Sequence, residues 1–323
     1  DDINPAFGKI LTNSRAMKSI FRYLSLLSKT ENTILIRGET GTGKELAAEG
    51  LHTASGRSGA FVCVNAAGLD DTMFSDALFG HKKGAYSGAD DNRPGLIEKA
   101  AGGTLFLDEI GDLTNSSQLK LLRLLEKGEY YTLGSDILKR ASCRILAATN
   151  RNLEEMMEEG TFRKDLYYRL SSYEVVLPPL SGRADDIPLL AEKFAAEAAD
   201  TLHLPQPEIT TGYIKALMRM DFPGNIRELM SVVSRSISSC EGRRLTEGCL
   251  ENFTSPDENT VDEVDSGEAV YSNLEFPERL PDLKKWSDLL VDEALKRSGG
   301  HISAAAEMLG ISQPALSKRL SKR

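Results

Sequence analysis

No stretch of this chain approaches the roughly 18 consecutive apolar residues that a membrane-crossing helix needs, and its start lacks the pattern of a secretory leader. A membrane protein is therefore not expected, and a cytoplasmic one is. Cysteine is scarce: Cys63, Cys143, Cys240 and Cys249 stand far apart and form no metal-ligand pair. They are expected to be reduced thiols in a reducing compartment, without a zinc site. Net positive charge is missing too, the chain carrying −9. That argues against a protein coating nucleic acid nonspecifically, though a small basic DNA-reading module within the chain remains compatible. No initiator methionine precedes Asp1, which suggests a fragment that has lost its natural N-terminal region and any sensing domain there.

What is present, 323 residues with an ordinary charged fraction, is ample for a sizeable core and about two domains. Met17, Ile20, Phe21, Leu24 and Leu27 recur at helical spacing and predict an amphipathic helix over 14–27. The short apolar run 33–37 predicts a strand, and it leads directly into Gly38, Glu39, Thr40, Gly41, Thr42, Gly43, Lys44 and Glu45, followed by a helical pattern. Strand, glycine loop and helix form a phosphate cradle: glycines turn backbone N–H groups toward the phosphates, the helix N-terminus adds a favourable field, and the lysine reaches the outer phosphates. Glu45 stands where Ser or Thr normally contacts Mg²⁺, so other groups or water must complete that shell, or the carboxylate itself must act.

Further buried strands are predicted at 61–64, 103–107, 143–148 and 174–177, and the residues after them carry the chemistry. Asn65 follows the first, where asparagine is ordinarily a turn residue. Asp108 and Glu109 follow the second; beside a phosphate loop, one carboxylate organises Mg²⁺ and the other orients the attacking water, a helix cap being the blander reading. Thr149 and Asn150 follow the third, placed either to sense a γ-phosphate or to turn the chain. Arg163 and Arg169, six residues apart, suit a transition-state clamp or a surface salt bridge, and spacing does not decide between them. A leucine-rich helix over 118–127 reads as core. Between the nucleotide motifs lie Gly84, Ala85, Tyr86, Ser87, Gly88 and Ala89, a glycine-bracketed mobile loop with an apolar, hydrogen-bonding tip.

From 181 to 253 the strands stop and helical patterns form a small lid, with Arg227 in a first turn where the helix field disfavours a cation unless an anion is bound. Residues 254–280 hold eight acidic side chains and one arginine, a net of −7, and read as a flexible linker. Residues 281–323 hold eight Lys or Arg against five Asp or Glu, a net of +3. There Leu283, Trp286, Leu290 and Ala294 share one helical face. A short helix over 303–309, a turn at Gly310 and a second helix capped by Ser312 then give helix-turn-helix geometry. Leu316 and Leu320 should face inward, leaving Ser312, Gln313, Ser317, Lys318 and Lys322 toward DNA; a protein-binding three-helix bundle is the alternative.

Together GETGTGKE, GAYSGA, GTLFLDEIGDL, AATN, FRKDLYYRL and FPGNIREL resemble the AAA+ domain of bacterial sigma-54-dependent transcription activators, and the C-terminal residues resemble a Fis-like helix-turn-helix. The resemblance implies an α/β fold. An AAA+ P-loop NTPase with a five-stranded parallel sheet would span 1–180 and its helical lid 181–253. An acidic linker at 254–280 and a small all-α helix-turn-helix domain at 281–323 would follow. It implies ATP and Mg²⁺ as cofactors, with Lys44 on the phosphates, Asp108 on Mg²⁺, Glu109 activating water and Asn65 restraining Glu109. Thr149 and Asn150 match a first sensor, Arg227 a second, and Arg163 with Arg169 the arginine fingers offered to a neighbouring subunit. Glu45 is common in this family.

The implied partners are sigma-54 RNA polymerase, upstream DNA and further copies of the chain, from a dimer to a hexameric or heptameric ring. The implied work is remodelling the closed promoter complex so that DNA opens. Tyr86 and Ser87 replace the Phe and Thr of the usual GAFTGA loop, and Gln313 and Ala315 depart from the Fis pattern, so the operator is not inherited from relatives. Two other readings remain: an AAA+ ATPase acting on another client, and a DNA-binding regulator whose ATPase serves only as an assembly switch.

Overall fold

In a computed structural model the chain is described at residues 4–86, 89–240, 244–250 and 283–298, and at Ile302, Ala305, Ala306, Leu309, Leu316 and Leu320. The Ser14 hydroxyl accepts the Met17 N–H and starts helix α1 (Arg15–Leu27), which buries Met17, Phe21, Leu24 and Leu27 as the spacing predicts. Strand β1 (Ile34–Arg37) enters the glycine loop and α2 (Lys44–Ser55) leaves it. Then come β2 (Phe61–Asn65), α3 (Asp71–Phe79), a small antiparallel ribbon of β3 (Gly80–His81) with β4 (Arg93–Pro94), α4 (Leu96–Lys99) and β5 (Thr104–Asp108). Helix α5 (Asn115–Lys127) starts earlier than its leucines suggest because Thr114 caps it through the Ser117 N–H. A hairpin of β6 (Glu129–Tyr131) and β7 (Leu138–Arg140) precedes β8 (Arg144–Thr149), α6 (Leu153–Glu158), α7 (Lys164–Leu170) and β9 (Tyr173–Val176).

The five expected strands form one parallel sheet in the order β2-β5-β8-β1-β9. Both faces are covered, and the period-two alternation of a strand sorts its side chains between two cores. Leu35, Leu105, Leu107, Ile145 and Ala147 pack on one side. Ile34, Ile36, Phe106, Leu146 and Ala148 pack on the other. The strand at 61–65 corrects the expectation of a buried one: β2 is the sheet edge, Cys63 and Asn65 are exposed, and Phe61, Val62 and Val64 are only half-covered. Parallel pairing brings the C-terminal ends of β1, β2, β5 and β8 to one rim, with Asn65 opposite Asp108 and Arg37 opposite Thr149. Such a rim is where open α/β sheets bind ligands.

Beyond the sheet, a turn of 3₁₀ helix at Leu180–Asp186 leads into α8 (Ile187–Thr201), β10 (Glu208–Ile209), α9 (Thr211–Leu217), α10 (Asn225–Ser239) and β11 (Arg244–Leu245). These share a core of their own around Leu180, Ile187, Phe194, Leu229 and Val233. The lid is helical as expected, but strands do not stop altogether: β10 and β11 pair in parallel. That pairing follows a return of the chain after α10 that brings Cys240 and Cys249 together, their Cα atoms 6.5 Å apart, in a disulfide. The expectation of four reduced thiols is corrected for this pair, while Cys63 and Cys143 are free.

The chain separates into a unit Asp1–Asp257 and a unit Glu258–Arg323. In the second, α11 (Leu283–Arg297) contributes Val291 and Ala294 to a core with Ala305, Ala306 and Leu316, and Leu320 packs against it. Leu290, expected on the same face as Ala294, is instead 54% exposed because the buried stripe passes through Val291 one position on. Ser312, Gln313, Ser317, Lys318 and Lys322, like the acidic stretch 254–280, lie outside the described residues. No helix among the described residues is long and apolar enough to cross a membrane.

Candidate nucleotide site

Three glycines of the loop between β1 and α2 adopt positive φ, Gly41 at 78° and Gly43 at 100° among them. Gly43 occupies the N-cap of α2 without a side-chain cap, so the first N–H groups of that helix stay open to an anion. Lys44 is nearly buried, and its ammonium donates to the carbonyls of Gly38 at 2.9 Å and Glu39 at 3.3 Å, 3.5 Å from Glu109 Oε1. The Thr42 hydroxyl closes the loop on the Glu39 carbonyl at 2.8 Å.

The acidic pair is split by backbone geometry. Asp108 ends β5 and accepts the Glu109 N–H at 3.0 Å, while Glu109 takes a left-handed conformation, φ 53° and ψ 47°, that a non-glycine residue adopts only when its surroundings impose it. This turn directs Glu109 back to Lys44 and to the backbone N–H of Asn150, 3.1 Å from Oε2. Asn150 in turn donates from its side chain to Thr40 Oγ1 at 2.9 Å, and the buried Thr149 hydroxyl accepts the Arg151 N–H at 3.0 Å. Burial pushes the Asp108 carboxyl above its usual range, with Lys44 as the main counterweight and the nearby Glu45 charge adding to the rise. Asn65 faces the same cleft, its side-chain oxygen accepting the Ala67 N–H at 2.8 Å in the turn that asparagine commonly makes.

The lid grips the glycine loop from the other side. Asn225 Nδ2 donates to Glu39 Oε2 at 2.9 Å and the Thr40 carbonyl at 3.1 Å, its oxygen accepts the Leu180 N–H at 2.7 Å, and the Ile226 N–H bonds the Gly41 carbonyl at 3.0 Å. Between loop and lid lies a cleft of about 330 Å³ lined by Thr40, Gly41, Gly43, Lys44, Glu45, Asn65, Asp108, Glu109 and Arg227. Its apolar wall is Ile10, Leu11, Phe194, Ile226 and Met230, a surface suited to a nucleobase.

Part of this escaped sequence reasoning. Lys9, Ile10 and Leu11 line the cleft from the N-terminus, and the buried Arg183 donates to the Thr42 carbonyl at 2.7 Å from 141 positions away. No local pattern marks either contact. The described lining of the cleft also leaves out Thr149 and Asn150, the latter reaching it only through Glu109 and Thr40, and it includes neither Arg163 nor Arg169. Arg163 forks onto Asp165 at 3.0 and 2.6 Å, and Arg169 onto the Leu125 carbonyl at 3.0 and 2.8 Å.

The loop at 84–89 leaves the β3–β4 ribbon. Gly84 N–H bonds the Ala89 carbonyl at 2.8 Å, Lys82 N–H bonds the Leu133 carbonyl at 2.9 Å, and Ser87 and Gly88 lie outside the described residues. Ala85 packs so near Gly134 that a Cβ there would come within 2.8 Å of it.

Family comparisons agree in order along the chain. A model described as a Sigma-54 interaction domain matches residues 10–176, an AAA+ ATPase lid domain matches 181–266, and a bacterial regulatory protein, Fis family, matches 290–322. The chain is 36% identical over 326 residues to a formate hydrogenlyase transcriptional activator of Salmonella typhimurium, covering 100% of this chain and 45% of that protein. It is 38% identical over 317 residues to the regulatory protein AtoC of Escherichia coli, covering 98% and 68%. The chain thus spans a little under half the length of the first curated relatives it matches. Among solved structures, NtrX from Brucella abortus in complex with ADP superposes with a TM-score of 0.68 at 30% identity, covering 100% of this chain and 69% of that one.

Proposed function

The chain belongs to the sigma-54-dependent activator family, and on that footing we propose that it hydrolyses ATP to remodel sigma-54 RNA polymerase at promoters while tethered to upstream DNA. The observation that carries this reading is the meeting of Lys44, Asp108, Glu109 and Arg227 around one cleft at the strand rim. Lys44 balances phosphate charge, and Glu109 orients the attacking water and takes its proton. Asn150 and Arg227 register the γ-phosphate, and Asn65, opposite Asp108 on the neighbouring strand, restrains Glu109. The described residues hold no group of three carboxylate, His or Cys side chains able to hold a metal alone. Asp108 nevertheless fits Mg²⁺, which uses one or two carboxylates together with substrate phosphates and neutralises their charge. Arg163 and Arg169 serve the neighbouring subunit's ATP in a cytoplasmic ring of six or seven copies.

The loop at 84–89 carries the work to sigma-54, and the basic C-terminal module holds the ring near the promoter by raising its local concentration. Purified protein held with a transition-state analogue of ATP is expected to comigrate with sigma-54 on a native gel and to lose the complex when Tyr86 is deleted. ATP turnover without any such complex would transfer the function to another client.

A further inference from the structure

The base of the 84–89 loop contains a charged cluster outside the nucleotide cleft. Asp76, on α3, is 7% exposed and holds two side chains at once: His81 Nδ1 on one carboxyl oxygen and Arg93 NH1 on the other at 2.8 Å. His81 and Arg93 are register partners across the ribbon from which the loop springs. The third member is the loop's own aromatic. Tyr86 folds back so that its ring meets the His81 imidazole edge-on, centroids 5.2 Å apart at 68°, with its hydroxyl 3.4 Å from Nδ1.

Asp76 and Tyr86 share the Nδ1 nitrogen with the carboxyl at the shorter distance, so the Tyr86 hydroxyl, at 3.4 Å, is a secondary partner of that nitrogen. The main attraction is therefore edge-to-face packing on a ring whose orientation Asp76 fixes. A side chain packed this way loses its contact whenever the loop rises. We propose that His81, oriented by Asp76 and Arg93, is the socket that seats Tyr86 and sets how readily the loop leaves the body of the domain. His81 and Asp76 are positioning residues: they lie outside the lining of the nucleotide cleft and act through Tyr86. The functional consequence rests on the sigma-54 reading, since a tighter seat delays presentation of Tyr86 to that partner. The seat itself does not rest on it.

Lys82 and Lys83 adjoin the seat and are exposed, so trypsin reports on its opening. Cleavage after these lysines is followed by mass spectrometry in the full chain. His81→Gln is expected to raise the cleavage rate about five-fold, the effect of losing one aromatic edge contact. Tyr86→Ala should do the same, Tyr86→Phe should do less, and His81→Gln added to Tyr86→Ala should do little more. His81→Gln protein that still turns over ATP at the wild-type rate is thereby shown to be folded.

Cleavage unchanged in both His81→Gln and Tyr86→Ala overturns the socket. So does an effect of His81→Gln that is undiminished in the Tyr86→Ala background, because His81 would then act on the ribbon alone. If His81→Gln does not fold, Tyr86→Ala against wild type decides by the same criterion. Retention of sigma-54 on a native gel is measured in parallel. A wild-type chain that retains none removes the sigma-54 reading and leaves the cleavage result standing.

Discussion

Glu109 is held in a strained backbone turn and shared between a buried ammonium and a backbone N–H, so its carboxylate is positioned before any substrate arrives. Glu109→Gln keeps the shape and removes the base. ATP should still bind, and turnover should fall by about 10²- to 10⁴-fold, the usual contribution of a positioned base. Nucleotide titration beside phosphate release separates the two effects, and normal turnover in the variant would overturn the assignment. Asp108 supplies a pH signature. Burial first, then the Glu45 charge, raises its carboxyl, so as pH falls it takes up a proton before ordinary carboxylates do. In the metal-free chain the Asp108 carboxyl, followed by NMR, should therefore titrate above the usual carboxylate range, and Mg²⁺ bound there should bring it down. Glu45→Gln removes a negative neighbour and should lower the metal-free titration; a shift the other way would mean that the Glu45 charge does not act on Asp108.

Helix α10 is docked onto the glycine loop through Asn225 and Ile226, and the Ile226 N–H meets the Gly41 carbonyl at 3.0 Å. A Cβ at Gly41 would lie 2.2 Å from the Gly224 carbonyl, at a φ of 78° that disfavours any side chain. Gly43, at φ 100°, has open space around it. Gly41→Ala should thus cost about 2 kcal/mol or detach the lid. Gly43→Ala should cost only its backbone strain, about 1 kcal/mol. Thermal melts of the two variants make the comparison, and equal losses would mean that α10 does not bear on the loop.

The contrast also explains what was legible beforehand. Lys44, Asp108, Glu109 and Thr149 were readable because parallel strands deliver the residues that end them to one rim, and strand ends are visible as breaks in apolar runs. Arg227 was readable as a cation at the wrong end of a helix. Arg183 and the 9–11 segment were not, because their contacts join chain segments far apart, where no spacing rule applies. Likewise β2 read as buried because composition does not tell an edge strand from a central one, and the Cys240–Cys249 bond depends on the chain's return after α10.

At the scale of the whole molecule, one chain brings Lys44 and Glu109 to its cleft but keeps both expected arginine fingers on partners of their own. Arg169 bonds a carbonyl near the end of α5 and Arg163 a surface aspartate, and an exposed ion pair of that kind is weak enough to exchange for a phosphate. If the fingers act on a neighbouring copy, a variant lacking Arg163 and a variant lacking Glu109 are each inactive alone yet repair one another when mixed. In an equimolar mixture that assembles at random, roughly a quarter of the interfaces pair an intact Glu109 with an intact Arg163 from the next subunit. Arg163→Ala and Glu109→Gln should therefore each lose turnover singly and recover roughly a quarter of the wild-type rate together. Turnover should also rise with protein concentration per mole of chain, since a site made from two copies disappears on dilution. A mixture as inactive as its components would place both groups in one subunit's chemistry, and full activity of Arg163→Ala alone would remove that arginine from the reaction.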